Sequence, residues 1–346
     1  MPSAASNIAF LDNLYRKGPF AGHGFICQPP WIPLTESGDY TVSDRPIKEF
    51  VPDIVRYYET QVRWLEELGD HAVPIAHLGT GTQLYAAAFG CPVHEYEDSN
   101  PAAMPIAKCA AEADAVSEPD LWNCRGLVRV FELAEAVQQE LGPDVVLGPP
   151  DLQTGFDTAA LIWDKSDFYL AMLTEPEAVH RLERKCAGLL RKFLVALRER
   201  CPNMTPGHCP RGYVPPDLGW WASNDECGAF STALFEEFCL PEMIELSETF
   251  GSFGMHCCAD AEHQFESFKK IPNFYVFNRV PGKRGWDPLL EHFDGPDSPV
   301  HALGWVDAAQ VGRFVQQANP ATRFIFVHGA PDLDNAKQWL EQVHSL

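Results

Sequence analysis

The chain has 346 residues, with 26 Lys+Arg against 48 Asp+Glu and a formal net charge of −22. That field repels nucleic acid and anionic lipid, so the expected partner is a small molecule or another protein, with no nucleic acid and no membrane. A hydrophobic fraction of 46% with only 21% charged residues fits a globular protein with a large core, and no stretch reaches the roughly 18 unbroken apolar residues of a membrane helix. The 11 cysteines are scattered and odd in number, and Met1 to Phe10 shows neither a basic nor an apolar leader region. Reduced thiols and a cytoplasmic setting are therefore expected.

Residues 1–46 hold Gly18-Pro19, Gly22, Gly24 and Gln28-Pro-Pro-Trp-Ile-Pro33, which predicts an irregular N-terminal arm packed on the rest through its aromatics. A helix is predicted from Asp44 to about Leu68, with apolar Ile54, Val55, Tyr58, Val62 and Leu65 on one face. His71 to Leu78 reads as a short strand. The turn Gly79-Thr-Gly-Thr82 follows it and matches neither nucleotide-binding glycine pattern. Leu127 to Glu140 reads as a helix, 144–150 as a strand, and Thr174-Glu-Pro-Glu177 as the start of a helix reaching Arg200. From Ser231 the alternation is regular: helices over 231–250, 261–270, 287–293, 307–318 and 333–343 separate strands over 252–256, 273–278, 300–304 and 323–328. Such parallel βαβ units predict an α/β protein, a TIM (β/α)8 barrel over 47–346 with residues 1–46 as N-terminal extension.

Barrels collect reactive groups at the C-terminal ends of their strands. Those ends hold His77, Asp151, Asp225 with Glu226, His256 with Cys258, Asn278 with Arg279, Trp305 with Asp307, and His328. The centre of interest is Gly254-Met-His-Cys-Cys-Ala-Asp260. Residues two apart on a strand point the same way, so His256 and Cys258 share a face and Cys257 turns from it. An imidazole and a thiolate side by side form half of a zinc site, and His328 at another strand end would make a triad with one tetrahedral position open. A buried cysteine and a satisfied core histidine are the structural alternative. His208-Cys209 lies in a proline-rich loop that continues to Trp220-Trp221, read either as a substrate-pocket wall or as a packed lid. Asp225 is the favoured acid, with Glu226 beside it. Arg279, Lys283 and Arg284 form a basic cluster suited to a substrate carboxylate or phosphate, or to a solvated loop.

The passage Asp225-Glu-Cys-Gly-Ala-Phe-Ser-Thr-Ala-Leu-Phe-Glu-Glu-Phe-Cys-Leu-Pro-Glu242, followed by Met255-His-Cys-Cys-Ala-Asp260, resembles the uroporphyrinogen decarboxylase superfamily. Gly79-Thr-Gly-Thr, Ala86-Ala-Ala-Phe-Gly90 and Asp167 to Glu177 look similar as well, so the resemblance spans roughly 50–345. It implies a TIM barrel. The arginine-rich motif of the tetrapyrrole decarboxylases is absent from Arg16 to Phe25, whereas His256 and Cys258 match the H-x-C pair of the cobalamin-dependent methyltransferase branch. No cysteine follows Cys258, and Ala259 replaces the family glycine. The resemblance implies a zinc-dependent methyltransferase that moves a methyl group between a corrinoid, carried on a partner protein, and a thiol or small methylated substrate. A homodimer is compatible with it. Two other readings stand beside it: a cofactor-free decarboxylase and a non-catalytic corrinoid- or ligand-binding subunit.

Overall fold

In a computed structural model, residues 3–31, 38–97, 99–304 and 306–346 are described. Trp305 and the Ile32-Pro33 end of the proline-rich segment lie outside them. The strands are β1 (Gly24–Gln28), β2 (Ala76–His77), β3 (Val93–His94), β4 (Ala102–Ala103), β5 (Leu147–Gly148), β6 (Trp221–Ser223), β7 (Phe253–Cys257), β8 (Phe274–Arg279), β9 (Val300–Gly304) and β10 (Phe324–Gly329). Six of them form one sheet in the order β1-β10-β9-β8-β7-β6, with every pairing parallel. β2 and β5 form a separate parallel pair, and β3 and β4 an antiparallel one.

The protein is thus an α/β protein with a parallel central sheet. Strands such as Phe-Ile-Phe-Val-His and Val-His-Ala-Leu-Gly are apolar on both faces, as strands covered by helices on one side and core on the other must be. β7 and β9 are buried along their whole length. Among the described residues the ladder does not run continuously around a closed barrel. Isolated parallel bridges, Leu147 to Met204 and Gln153 to Ser223, lie between the pair and the β6 edge.

The N-terminus departs from the expected irregular arm. Ser3 caps a helix over Ala4–Tyr15, and β1 joins the sheet beside β10, in register from Gly24 opposite Ile325 to Gln28 opposite Gly329. A Cβ at Gly24 would lie 3.2 Å from Ile325, so the glycine that looked like a loop signal permits close strand approach. The strands expected at 71–78 and 144–150 shorten to two residues each, whereas those at 252–256, 273–278, 300–304 and 323–328 appear within one residue. β6 lies within the expected proline-rich loop, where Pro215, Pro216 and Gly219 precede only three strand residues.

A buried acid ties the helices behind the sheet together. Both carboxylate oxygens of Glu242 accept from the start of the helix Gly155–Ile162, Gly155 N at 2.6 Å and Phe156 N at 3.3 Å. A carboxylate there satisfies N–H groups that have no partner within the helix. Burial nevertheless pushes its pKa up to about 7, the two backbone bonds only partly opposing the rise. A carboxyl raised on folding stabilises most below its unfolded pKa and loses that contribution as pH climbs through the folded value. The stability advantage of wild type over Glu242→Gln is therefore expected to shrink by roughly 3 kcal/mol between about pH 4.5 and pH 7, read from urea melts across that range. A pH-independent difference would show that folding does not raise the Glu242 pKa.

Candidate metal centre

β7 delivers His256 to the C-terminal edge of the sheet, and the chain leaves the strand one residue later. Cys258 comes back over the ring, its Sγ 2.8 Å from His256 Nε2. Cys257 points the other way into the core, its Sγ 3.6 Å from that of Cys227. On the far side of the ring, His256 Nδ1 meets Asn278 Oδ1 at 2.5 Å, and Asn278 Nδ2 donates to Ala302 O. The amide oxygen can only accept, so Nδ1 carries a hydrogen and Nε2 is the ring nitrogen turned toward Cys258. Asn278 is fully buried and cannot swing away.

Asp225 completes the group: one ligand atom each from Asp225, His256 and Cys258 all lie within 4.8 Å of one another. Its Oδ1 accepts from Cys258 N at 2.6 Å. The loop that carries it is suspended from Asp157, whose buried carboxylate accepts from Asp225 N at 2.6 Å, Glu226 N at 3.3 Å and Asn224 Nδ2 at 3.3 Å. Burial, then the nearby Asp225 charge, drives the Asp157 pKa well above the carboxylate range. For His256, burial draws the pKa down, but the thiols of Cys209 and Cys258 outweigh it and the ring ends well above its ordinary value. Burial also lifts the Cys258 thiol, with His256 partly opposing.

The expected site residues sort clearly. His256, Cys258 and Asp225 come together. His328, the expected third ligand, is not in the group: its Nε2 meets Asn335 Oδ1 at 2.9 Å and its ring lies parallel to Trp339, 4.9 Å between centroids. Glu226 faces away, bound by Lys165 Nζ at 2.5 Å and by the Tyr169 hydroxyl. Trp220 and Trp221 are core residues rather than a pocket wall, at 2% and 1% exposure. A strand flanked by two packed layers buries both of its faces. Trp221 Nε1 donates to Tyr275 Oη at 2.8 Å, and Arg198 lies over the Trp220 ring. Asn278, a candidate for substrate binding by its strand-end position, is buried against the histidine ring. Arg279 is buried under the chain after β8, its Nε donating to Val280 O and its guanidinium 5.1 Å from the Phe265 ring centre. Arg284 is bound to Glu262 and Glu291. It thereby fills a second group of potential ligands, Glu262, Glu291 and His292.

A cavity of about 840 Å³ opens beside the centre, lined by His77, Asp151, His208, Cys209, Arg211 and His328 among others. His208 packs its ring 5.7 Å from that of His256 and bonds Ser223 Oγ at 2.9 Å. Burial pushes Asp151 up to about 6, while a hydrogen bond from Gln153 and the His256 charge oppose the rise. Asp157 and Arg211 were not recognised from the sequence. Asp157 had one signal, an acid in the first turn after the N-cap Thr154. Arg211 had none, since its value depends on what surrounds it.

A ring held at Nδ1 by a neutral amide oxygen predicts a graded effect. Asn278→Ala is expected to weaken zinc binding by about ten- to a hundredfold in a competitive chelator titration, because the ring loses its tautomer and orientation. Asn278→Asp, which keeps an acceptor, should weaken it less; equal losses would show that only packing is at stake.

No protein-family model matches the chain, and no curated protein matches it in sequence. Solved structures do match in fold. A methyltransferase from Methanosarcina mazei superposes over 100% of this chain and 99% of its own, with a TM-score of 0.66 at 13% identity. That likeness establishes the fold. A homocysteine methyltransferase from Escherichia coli, solved in metallated form, aligns over 70% of this chain and 95% of its own at 13% identity, but its TM-score of 0.27 carries no argument. Among the described residues no helix is long and apolar enough to cross a membrane.

Proposed function

We propose that the protein is a zinc-dependent methyltransferase that passes a methyl group between a corrinoid on a partner protein and a thiol or small methylated substrate. One observation carries the reading: nitrogen, sulfur and oxygen donors from His256, Cys258 and Asp225 converge within 4.8 Å, and the His256 ring is held at Nδ1 by the Asn278 amide oxygen. The donor set suits zinc, and three protein donors leave a coordination position for substrate. When bound, the ion supplies Lewis acidity that lowers the pKa of a substrate thiol. The full-length fold shared with a methyltransferase supports the reading, and so do the isolated bridges that favour closure of the sheet pieces into one barrel.

The protein's own groups have defined tasks. His256, Cys258 and Asp225 hold the ion, Asn278 orients His256, and Asp157 positions the Asp225 loop. Asp151, with a pKa of about 6, is ionised at neutral pH and accepts the thiol proton at the cavity wall. The sulfur then forms its bond to the methyl carbon while the electron pair of the breaking bond stays with the donor. The reading is tested by zinc analysis and a methyl-transfer assay from methylcobalamin to a thiol, wild type beside Cys258→Ser. About one zinc per chain and transfer in wild type, both lost in the variant, is the expected result. A zinc-free wild type that binds corrinoid without transfer would replace the reading with that of a binding subunit.

A further inference from the structure

Among the described residues that line the large cavity, Arg211 is a cation without a polar partner. Arg211 follows the His208-Cys209-Pro210 turn, and its guanidinium lies 3.8 Å from the ring centre of Trp31, which is braced edge-on by Tyr57 at 4.9 Å. Gln28 Nε2 donates to its main-chain carbonyl, which anchors the backbone. Among the described residues the guanidinium itself makes no hydrogen bond and no ion pair. It does not pair even with Asp151, which lines the same cavity and bonds Gln153 instead. By contrast, Arg16, Arg56, Arg181, Arg284 and Arg313 at the surface all have carboxylate partners. An arginine with unused donors, set over an aromatic ring and lining a cavity of a protein with net charge −22, is prepared for a ligand.

We propose that Arg211 is the anchor for a carboxylate group of the substrate, so that the molecule methylated or demethylated at the metal centre is a small carboxylic acid. The cavity supports the class of anion. It offers one unpaired guanidinium and also contains the carboxyl groups of Asp151 and Asp307, so a dianionic phosphate would meet more repulsion than attraction. A planar monoanion accepts two parallel N–H bonds from the fork and leaves the rest of the molecule free to reach the centre. Cys209 lines the same cavity and lies against His256, so the anchor and the centre share a wall. Arg211 takes over the substrate-holding task that the sequence suggested for Arg279.

This inference rests on the methyl-transfer reading for the reacting end but not for the carboxylate end. Its test is calorimetric titration of the zinc-loaded full chain with 3-mercaptopropionate and, separately, with 3-mercaptopropionamide. Wild type is expected to bind the carboxylate at least about tenfold more tightly than the amide. Arg211→Gln should bring the ratio close to one, and Arg211→Lys should retain part of it. Equal binding of the two probes by wild type overturns the proposal without any variant, and so does a ratio that survives in Arg211→Gln. Cys258→Ser separates the two readings. A preserved ratio with weaker binding of both thiols supports the anchor and the metal together. A preserved ratio with unweakened binding supports the anchor while removing the metal–thiol contact.

Discussion

Cys258→Ser is expected to lower zinc affinity by more than about a hundredfold while leaving the fold intact, the largest effect of any single substitution in the centre. Sulfur bound to zinc is a thiolate; the serine hydroxyl ionises far above the physiological range and is a poor replacement. Cys258 is exposed, so the exchange opens no cavity in the core. His256, at 4% exposure, is a less clean target: His256→Ala also removes a packed ring, which costs about 2 kcal/mol or more on its own. The measurement is a thermal melt with and without zinc. A ligand at a hundred times its Kd stabilises by about 2.7 kcal/mol, so wild type should shift upward and Cys258→Ser should not. Equal zinc-induced shifts in the two proteins would remove Cys258 from the ligand set.

Asp225→Asn is expected to weaken zinc by at least about tenfold, whereas His328→Gln should change it less than about twofold. The asparagine keeps a carbonyl oxygen for the Cys258 N–H that Asp225 now accepts at 2.6 Å, so the loop geometry survives and only the charge is removed. His328 is occupied by Asn335 and stacked on Trp339, and its loss should appear as a modest drop in melting temperature. The comparison is made by chelator competition at one pH. The reverse order, with His328→Gln the damaging change, would assign the third position to the histidine and reduce Asp225 to holding the Cys258 backbone.

The two substitutions together measure how far residue spacing can define a metal site. Strand alternation predicts His256 and Cys258 on one side, and although β7 ends at Cys257, the turn after it brings their donor atoms to 2.8 Å. The third donor is different. Strand ends around the sheet hold several competent side chains, and which one turns inward depends on contacts between distant segments. Asp225 is directed by Asp157, 68 residues earlier in the chain. Glu226, its neighbour, is drawn outward by Lys165 and Tyr169.

By itself, the sequence determined the parallel α/β character, the four C-terminal strands with the helices between them, and the pairing of His256 with Cys258. These follow from local periodicity, which is expressed over a few residues and needs no knowledge of neighbours. Tertiary structure alone decided that Gly24–Gln28 joins the sheet, that Trp220 and Trp221 belong to the core, and that Arg279 is buried while Arg211 faces the cavity. Each of those outcomes depends on burial and on the partner across the interface. A glycine beside Ile325, an indole under Arg198 and a guanidinium on Trp31 acquire their roles only when the chain brings those partners to them.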